Sequence, residues 1–313
     1  MSLMNIVSLN SYDLGGLSYI LCDAINKLTS HNAVQISVGR VYTDKPVMFI
    51  RDELGSVKLK RLIRNADVLH FNQYTHLIER YNINSAECRN KKILYHGHGG
   101  AFRRDPGKIK RFYRRLFPKV KIMASTPDLL KQGEGEWFPS IMPIVEQRRT
   151  YKMRRNDVPI VYYSPTKPPE HWNWDLNTLE AVANELRGEG LELHVHFRRK
   201  ITHGLNLELK SKADIYFDEL KIFYGINALE AAVFEMNVIH GLSPFCRDYM
   251  KNNKVKCPFT SVPSGNRGIF KNELRKLISD KKYRIRVGKK AFKYVSKMHN
   301  PRTCVRRFLA LVE

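Results

Sequence analysis

The chain has 313 residues, and 54 lysines and arginines against 30 aspartates and glutamates leave a formal charge of +24. With 43% hydrophobic and 11% aromatic residues it has the composition of a folded protein, which excludes disorder along the whole length. The length suits two domains of roughly 150 residues, each burying its own core.

Short apolar runs alternate with amphipathic ones from the start: NIVSLN (5–10, strand), LSYILCDAINKL (17–28, helix) and AVQISV (33–38, strand). The rhythm continues through 57–66 (helix), 67–72 (strand), 92–97 (strand), 108–117 (helix) and 121–125 (strand), the pattern of a parallel sheet. A polar, basic stretch at 146–157 has little apolar periodicity and reads as an interdomain linker. A second series follows: strand 159–165, helix 177–186, strand 191–197, helix 205–213, strand 214–220, helix 226–235 and strand 237–242. The tail reads as helices over 272–280, 283–298 and 301–313, with Pro301 at a first helical position after His299 and Asn300. The expected layout is therefore an N-terminal domain at 1–150, a C-terminal domain at 151–295 and a crossover helix at 296–313. Two doubly wound α/β domains of this kind place a ligand in the cleft between them, at the carboxyl ends of the strands.

The basic excess is shared by both halves but clusters locally. Arg103 to Lys121 holds nine basic residues against Asp105 alone, and Lys281 to Arg307 holds eleven with no acid. Such stripes suit nucleic acid, an anionic membrane surface or a phosphorylated substrate, although a solvated basic face with no ligand has the same composition. No apolar run approaches the roughly 18 residues of a spanning helix, and the first residues lack the charge and apolar pattern of a signal peptide. A cytoplasmic location is expected, with peripheral docking at the inner face of a membrane open. The five cysteines are scattered without a Cys-x-x-Cys pair, against both a disulfide framework and a zinc site.

Three constellations carry chemistry. Gly15 and Gly16 follow the first strand and open the first helix, where backbone N–H groups meet an anion; a tight turn needs the same residues. His96-Gly97-His98-Gly99-Gly100 ends a strand and is followed by Arg103 and Arg104, a substrate-contact pattern in which His96 reads equally well as structural. In the third, the strand from Ala213 runs through Tyr224-Gly225 into a helix bearing Glu230 one turn inside. A carboxylate there accepts ribose hydroxyls while the helix N-terminus faces a diphosphate, and the alternative is an exposed helix glutamate.

From Ala213 to Ile239 the sequence resembles the retaining, nucleotide-sugar-dependent glycosyltransferases of the GT-B fold, in the family 4 group. Gly15-Gly16, Ala66 to His70, His98-Gly99-Gly100 with Arg103, Ser125 to Asp128, Ser164-Pro165-Thr166 and His299-Asn300-Pro301 resemble further family motifs in the same order. The resemblance implies two Rossmann-like domains facing across a cleft, with a C-terminal helix crossing back. It implies a hexosyltransferase-type enzyme acting with retention in glycan, glycolipid or cell-envelope assembly. Alternatives are a viral-type enzyme acting on hydroxymethylated DNA bases and a catalytically silent basic nucleic-acid binder.

By the same resemblance Glu230 would hold the donor ribose, and Gly15 and Gly16 would border the donor phosphates and sugar. His98 would lie beside the anomeric centre or acceptor, and Arg103 and Arg104 on the acceptor side. Tyr224 and Gly225 would belong to the donor turn, and Lys167 would lie near the departing diphosphate. The sequence departs from the family at Ile222, where many members carry a glutamate, and over 168–174, read as a loop in place of an arginine and a lysine-glycine pair. Lys167, or Arg198 and Arg199, would then hold the phosphates. The expected partners are a nucleoside diphosphate sugar as donor and an anionic acceptor (lipid-linked glycan, membrane surface or DNA), with no protein partner, no cofactor and no metal.

Overall fold

The protein is described by a computed structural model covering residues 2–10, 16–37, 48–49, 53–73, 77–80, 83, 86–131, 135–165, 169–221, 223–263 and 265–313. It divides into two compact units, 1–141 with 299–313, and 142–298.

In the first unit the elements are β1 (Asn5–Asn10), α1 (Leu17–Leu28), β2 (Asn32–Ser37), β3 (Met48–Phe49), α2 (Glu53–Asn65), β4 (Val68–Asn72) and α3 (Leu77–Arg80). They continue with β5 (Lys92–Gly97), α4 (Gly99–Arg104), α5 (Pro106–Leu116), β6 (Lys121–Ala124) and β7 (Glu136–Trp137). All seven strands pair in parallel in the order β3-β2-β1-β4-β5-β6-β7. A parallel sheet covered on both faces needs strands apolar on both sides, and β4 is buried at every position. The strand order reverses at β1 and β4, so the crevice at their carboxyl ends is where this topology accommodates a ligand.

The second unit contains α6 (Ile144–Thr150), β8 (Ile160–Tyr163), α7 (Pro169–Gly188), β9 (His194–Phe197), α8 (His203–Ser211), β10 (Ile215–Phe217) and α9 (Ile226–Val233). Then follow β11 (Asn237–Leu242), α10 (Pro244–Asn252), β12 (Thr260–Pro263), α11 (Arg267–Ser279) and α12 (Lys281–Met298). Its parallel sheet has the order β12-β11-β10-β8-β9, with the switch between β8 and β10. Val161, Tyr163, Ile215, Phe217 and Ile239 meet Leu179, Val182, Leu186, Phe270 and Leu274 in its core. The last helix, α13 (Pro301–Val312), returns to the first unit and packs on α1. Pro301 stands in its first turn, and the Asn300 side chain accepts from the Thr303 N–H at 2.9 Å.

Several sequence expectations are corrected. The boundary between units lies at 141/142 rather than 150/151, and the return segment begins at 299 rather than 296. The supposed linker at 146–157 contributes to α6, which packs on α9. Its apolar signal is weak because charge does the docking. Arg148 and Arg155 both pair with Glu235, at 3.1 and 2.8 Å, and the Arg148 guanidinium stacks over Phe292 at 4.1 Å. The segment read as a loop over 168–174 is helical from Pro169, a residue suited to the first helical position. β3, β7, α10 and β12 had no sequence assignment; β3 and β7 are two residues long, too short for periodicity to register. Among the described residues no helix is long and apolar enough to cross a membrane.

Candidate functional site

At the carboxyl edge of the second sheet, α8 and α9 bring a buried polar network together. Glu230 is 3% exposed and Lys210 0%. Lys210 Nζ donates to Glu230 Oε2 at 2.5 Å and to Asn227 Oδ1 at 2.7 Å, while His203 Nε2 lies 2.7 Å from Glu230 Oε1. The network continues through Asn206, which donates to Asn227 Oδ1 at 3.2 Å and accepts from the Tyr162 hydroxyl at 2.9 Å. Burial by itself would raise the Glu230 pKa. The charge of Lys210, then the hydrogen bond and charge of His203, outweigh it and hold the carboxyl at about 2. Burial lowers the Lys210 pKa, with Glu230 opposing. The pair is therefore an ionised carboxylate on a buried ammonium, fixed by amides and a half-buried imidazole.

Glu230 stands one turn inside α9. The helix begins at Gly225 with no side-chain cap and no acidic residue in its first turn. A Cβ on Gly225 would meet no atom within 4 Å, so the backbone there faces open space. The Gly225 N–H donates to Asp218 Oδ2 at 3.1 Å, and the next turn of N–H groups, at the positive end of the helix dipole, suits an anion. Arg198 follows β9 at the same edge; it is exposed, and its charge acts on the Tyr162 phenol, whose pKa is raised chiefly by burial. Arg199 is half-buried.

The first unit gathers imidazoles at the ends of β4 and β5. The rings of His96 and His98 are 3.9 Å apart, and those of His70 and His96 5.6 Å. His98 Nε2 donates to Asn72 Oδ1 at the end of β4. His70 Nδ1 shares a hydrogen bond with Ser8 Oγ, which lies 2.5 Å from Ser18 Oγ, itself an acceptor from Asn10. Burial drives His70 and His98 down to about 3, with His70 adding to the effect on His98, and it holds His96 well below the usual histidine range. All three are neutral at physiological pH. With Nε2 donating to Asn72, His98 keeps its Nδ1 lone pair as a hydrogen-bond acceptor. Beside this cluster α1 starts at Gly16, whose left-handed φ of 68° favours glycine and whose position carries no side-chain cap.

The structure thus assembles two groups of predicted residues separately: Glu230, Gly225 and Arg198 in the second unit, and His98 and Gly16 in the first. Other expectations change. The Tyr224 ring is buried, with its hydroxyl 2.7 Å from that of Tyr294, so only its backbone belongs to the turn surface. The alternative of an exposed Glu230 is overturned by its burial. Arg103 is engaged by Asp128 in a two-nitrogen hydrogen-bonded ion pair at 2.9 and 2.6 Å. Gly15, Lys167, Ile222 and the Arg104 side chain lie outside the described residues. Sequence reasoning missed Lys210, His203, Asn227 and Tyr162. Lys210 sits in LNLELKS two residues after Glu208, where a lysine reads as a solvent-facing charge. Among the described residues no group of three His, Cys, Asp or Glu side chains comes together as a metal site.

No protein-family profile matches the chain, and no curated protein matches it by sequence. Its fold does match solved structures. An alpha-glucosyltransferase in complex with UDP and a 13-mer DNA containing an HMU base is similar over 100% of both chains, with a TM-score of 0.71 at 11% identity. Anabaena Alr3699/HepE in complex with UDP and glucose is similar over 98% of each chain, with a TM-score of 0.63 at 13% identity. Sucrose-phosphate synthase from Thermosynechococcus elongatus is similar over 98% of each, with a TM-score of 0.58 at 13% identity. The chain shares the fold of these glycosyltransferases, two Rossmann-like α/β units of the GT-B kind.

Proposed function

We propose that the protein is a glycosyltransferase that moves a sugar from a nucleoside diphosphate sugar to an acceptor hydroxyl, with retention at the anomeric carbon. The observation that carries this reading is Glu230: an ionised carboxylate held one turn inside the start of α9, at the carboxyl edge of a parallel sheet. In that place it accepts the two ribose hydroxyls of the donor, and the α9 N-terminus takes the diphosphate. Similar structures that hold UDP support the same reading.

Transfer builds positive charge at the anomeric carbon and negative charge on the departing diphosphate. Preorganised N–H groups and cations aimed at that oxygen-borne charge lower the barrier, because they need no reorganisation as it develops. The groups assigned to this task are the α9 N-terminus with Arg198, Arg199 and Lys167. His98, neutral and with Nδ1 as acceptor, orients a sugar or acceptor hydroxyl. Gly16 gives backbone access next to it.

A glycan or glycolipid hydroxyl is the first acceptor class. A hydroxymethylated DNA base is the second, favoured by the charge of +24 and by the DNA in the similar alpha-glucosyltransferase structure. The test is incubation of the protein with UDP-, GDP- and ADP-sugars, with and without duplex DNA carrying hydroxymethylated bases, following release of the nucleoside diphosphate. Release from at least one donor, abolished in Glu230→Gln, is expected. No turnover of any donor, together with no nucleotide-induced rise in melting temperature, would remove the enzyme reading.

A further inference from the structure

Helix α12 carries a charge pattern that transfer chemistry does not account for. Its buried side is Arg284, Val287, Gly288, Ala291, Tyr294 and Val295, packed on α9, α11 and β11 of its own unit. Its exposed side bears Lys282, Arg286, Lys289, Lys290 and Lys293, with Lys297 one turn further on. At 3.6 residues per turn these five fall within an arc of roughly 100° opposite the buried side. The helix contains no aspartate or glutamate. Lys281, which pairs with Asp157 at 2.6 Å, stands off the arc.

Stability alone does not produce such a stripe. Like charges at i,i+3 and i,i+4 oppose the helix, and Lys281 and Lys282 stand in its first turn, where the dipole disfavours cations. A bound polyanion reverses both effects. From Lys282 to Lys293 the helix rises about 17 Å, and one strand of duplex carries a phosphate every ~3.4 Å along the axis, so five cations meet about five phosphates. Four of the five cations are lysines, which meet phosphates as point charges, so the contacts are expected to be largely sequence-independent. An anionic bilayer is the poorer fit, because an interfacial helix inserts an apolar face. The apolar face of α12 is turned into its own unit, and none of the exposed large hydrophobic residues is on this helix.

We propose that the exposed face of α12 is a docking surface for the phosphate backbone of duplex DNA. The inference goes beyond the proposed transfer reaction and stands whether or not a sugar is moved.

The test is fluorescence anisotropy with the full chain and an unmodified labelled duplex of about 25 base pairs, without nucleotide sugar, between roughly 50 and 200 mM salt. The triple variant Lys282→Gln, Lys289→Gln, Lys293→Gln is compared with Lys108→Gln, Arg111→Gln, Arg115→Gln, which removes equal charge from α5. The α12 variant is expected to bind more than about tenfold more weakly at low salt, with the slope of log affinity against log salt shallower by about 2 to 3. The α5 variant is expected to stay within about threefold of the parent. Equal losses in both variants, or no binding of the parent to duplex, would overturn the proposal. So would capture by vesicles of anionic phospholipid, lost in the α12 variant, when duplex is not bound. Because plain duplex is the probe, failure here leaves donor turnover separately measurable.

Discussion

Glu230 and Lys210 are so deeply buried that removing either charge leaves the other stranded in a poorly polarisable interior. Lys210→Met is therefore expected to destabilise the fold by about 3–5 kcal/mol in urea titrations, and a Lys210→Met, Glu230→Leu double variant to recover most of that. Additive losses in the double variant would show that the two charges are not coupled. The sign of the pH effect follows from Glu230, whose folded pKa of about 2 lies below the usual 4.5. Its stabilising contribution is complete above pH 4.5 and is lost as the pH falls towards 2. In sequence Glu230 was legible through the strand, glycine turn and helix that precede it. Its partners were not, because burial of Lys210 depends on how α8 packs against α9, a tertiary property that periodicity in a single helix does not encode.

Among the elements, α12 approaches the sheet closely at one point. Glu235 takes a left-handed φ of 57° while its carboxylate holds Arg148 and Arg155, and its carbonyl oxygen would lie 1.9 Å from a Cβ placed on Gly288. Gly288→Ala must displace α12 or the turn at Glu235, at a cost of about 1–3 kcal/mol or more. Chemical denaturation that leaves Gly288→Ala within about 0.5 kcal/mol of the parent would contradict this packing. Long helices and buried strands were readable because their apolar spacing is strong. The mid-chain boundary was misplaced because α6 is anchored by arginine pairs with Glu235, and an ion pair leaves no periodic trace in the sequence.

For the whole molecule, buried histidines give a second pH dependence. His70 and His98 sit at about 3, His240 and His299 at about 4, and His96 well below the usual 6.5, in every case with burial as the largest cause. Unfolding between about pH 4 and 6.5 lets each ring bind a proton it lacks when folded, so stability falls as the pH drops through that window. Calorimetry at a series of pH values should show the melting temperature declining steadily below about pH 6.5, and a flat profile down to pH 4.5 would contradict it. Of the cations behind the charge of +24, three are assigned to the donor diphosphate and five form the stripe on α12. The two-unit α/β architecture was legible in the alternation of runs. How donor groups are held was only half legible, since their support is buried polar chemistry.

The edge of the second sheet, through Glu230, is the proposed seat of the nucleoside diphosphate. The deciding measurement is isothermal titration of UDP, GDP and ADP into the parent and into Glu230→Gln, each checked for cooperative melting. Saturable binding of at least one nucleotide, weakened at least about tenfold in the folded variant, is predicted. Binding of none of the three, or equal affinity in the folded variant, would show that Glu230 holds no nucleotide.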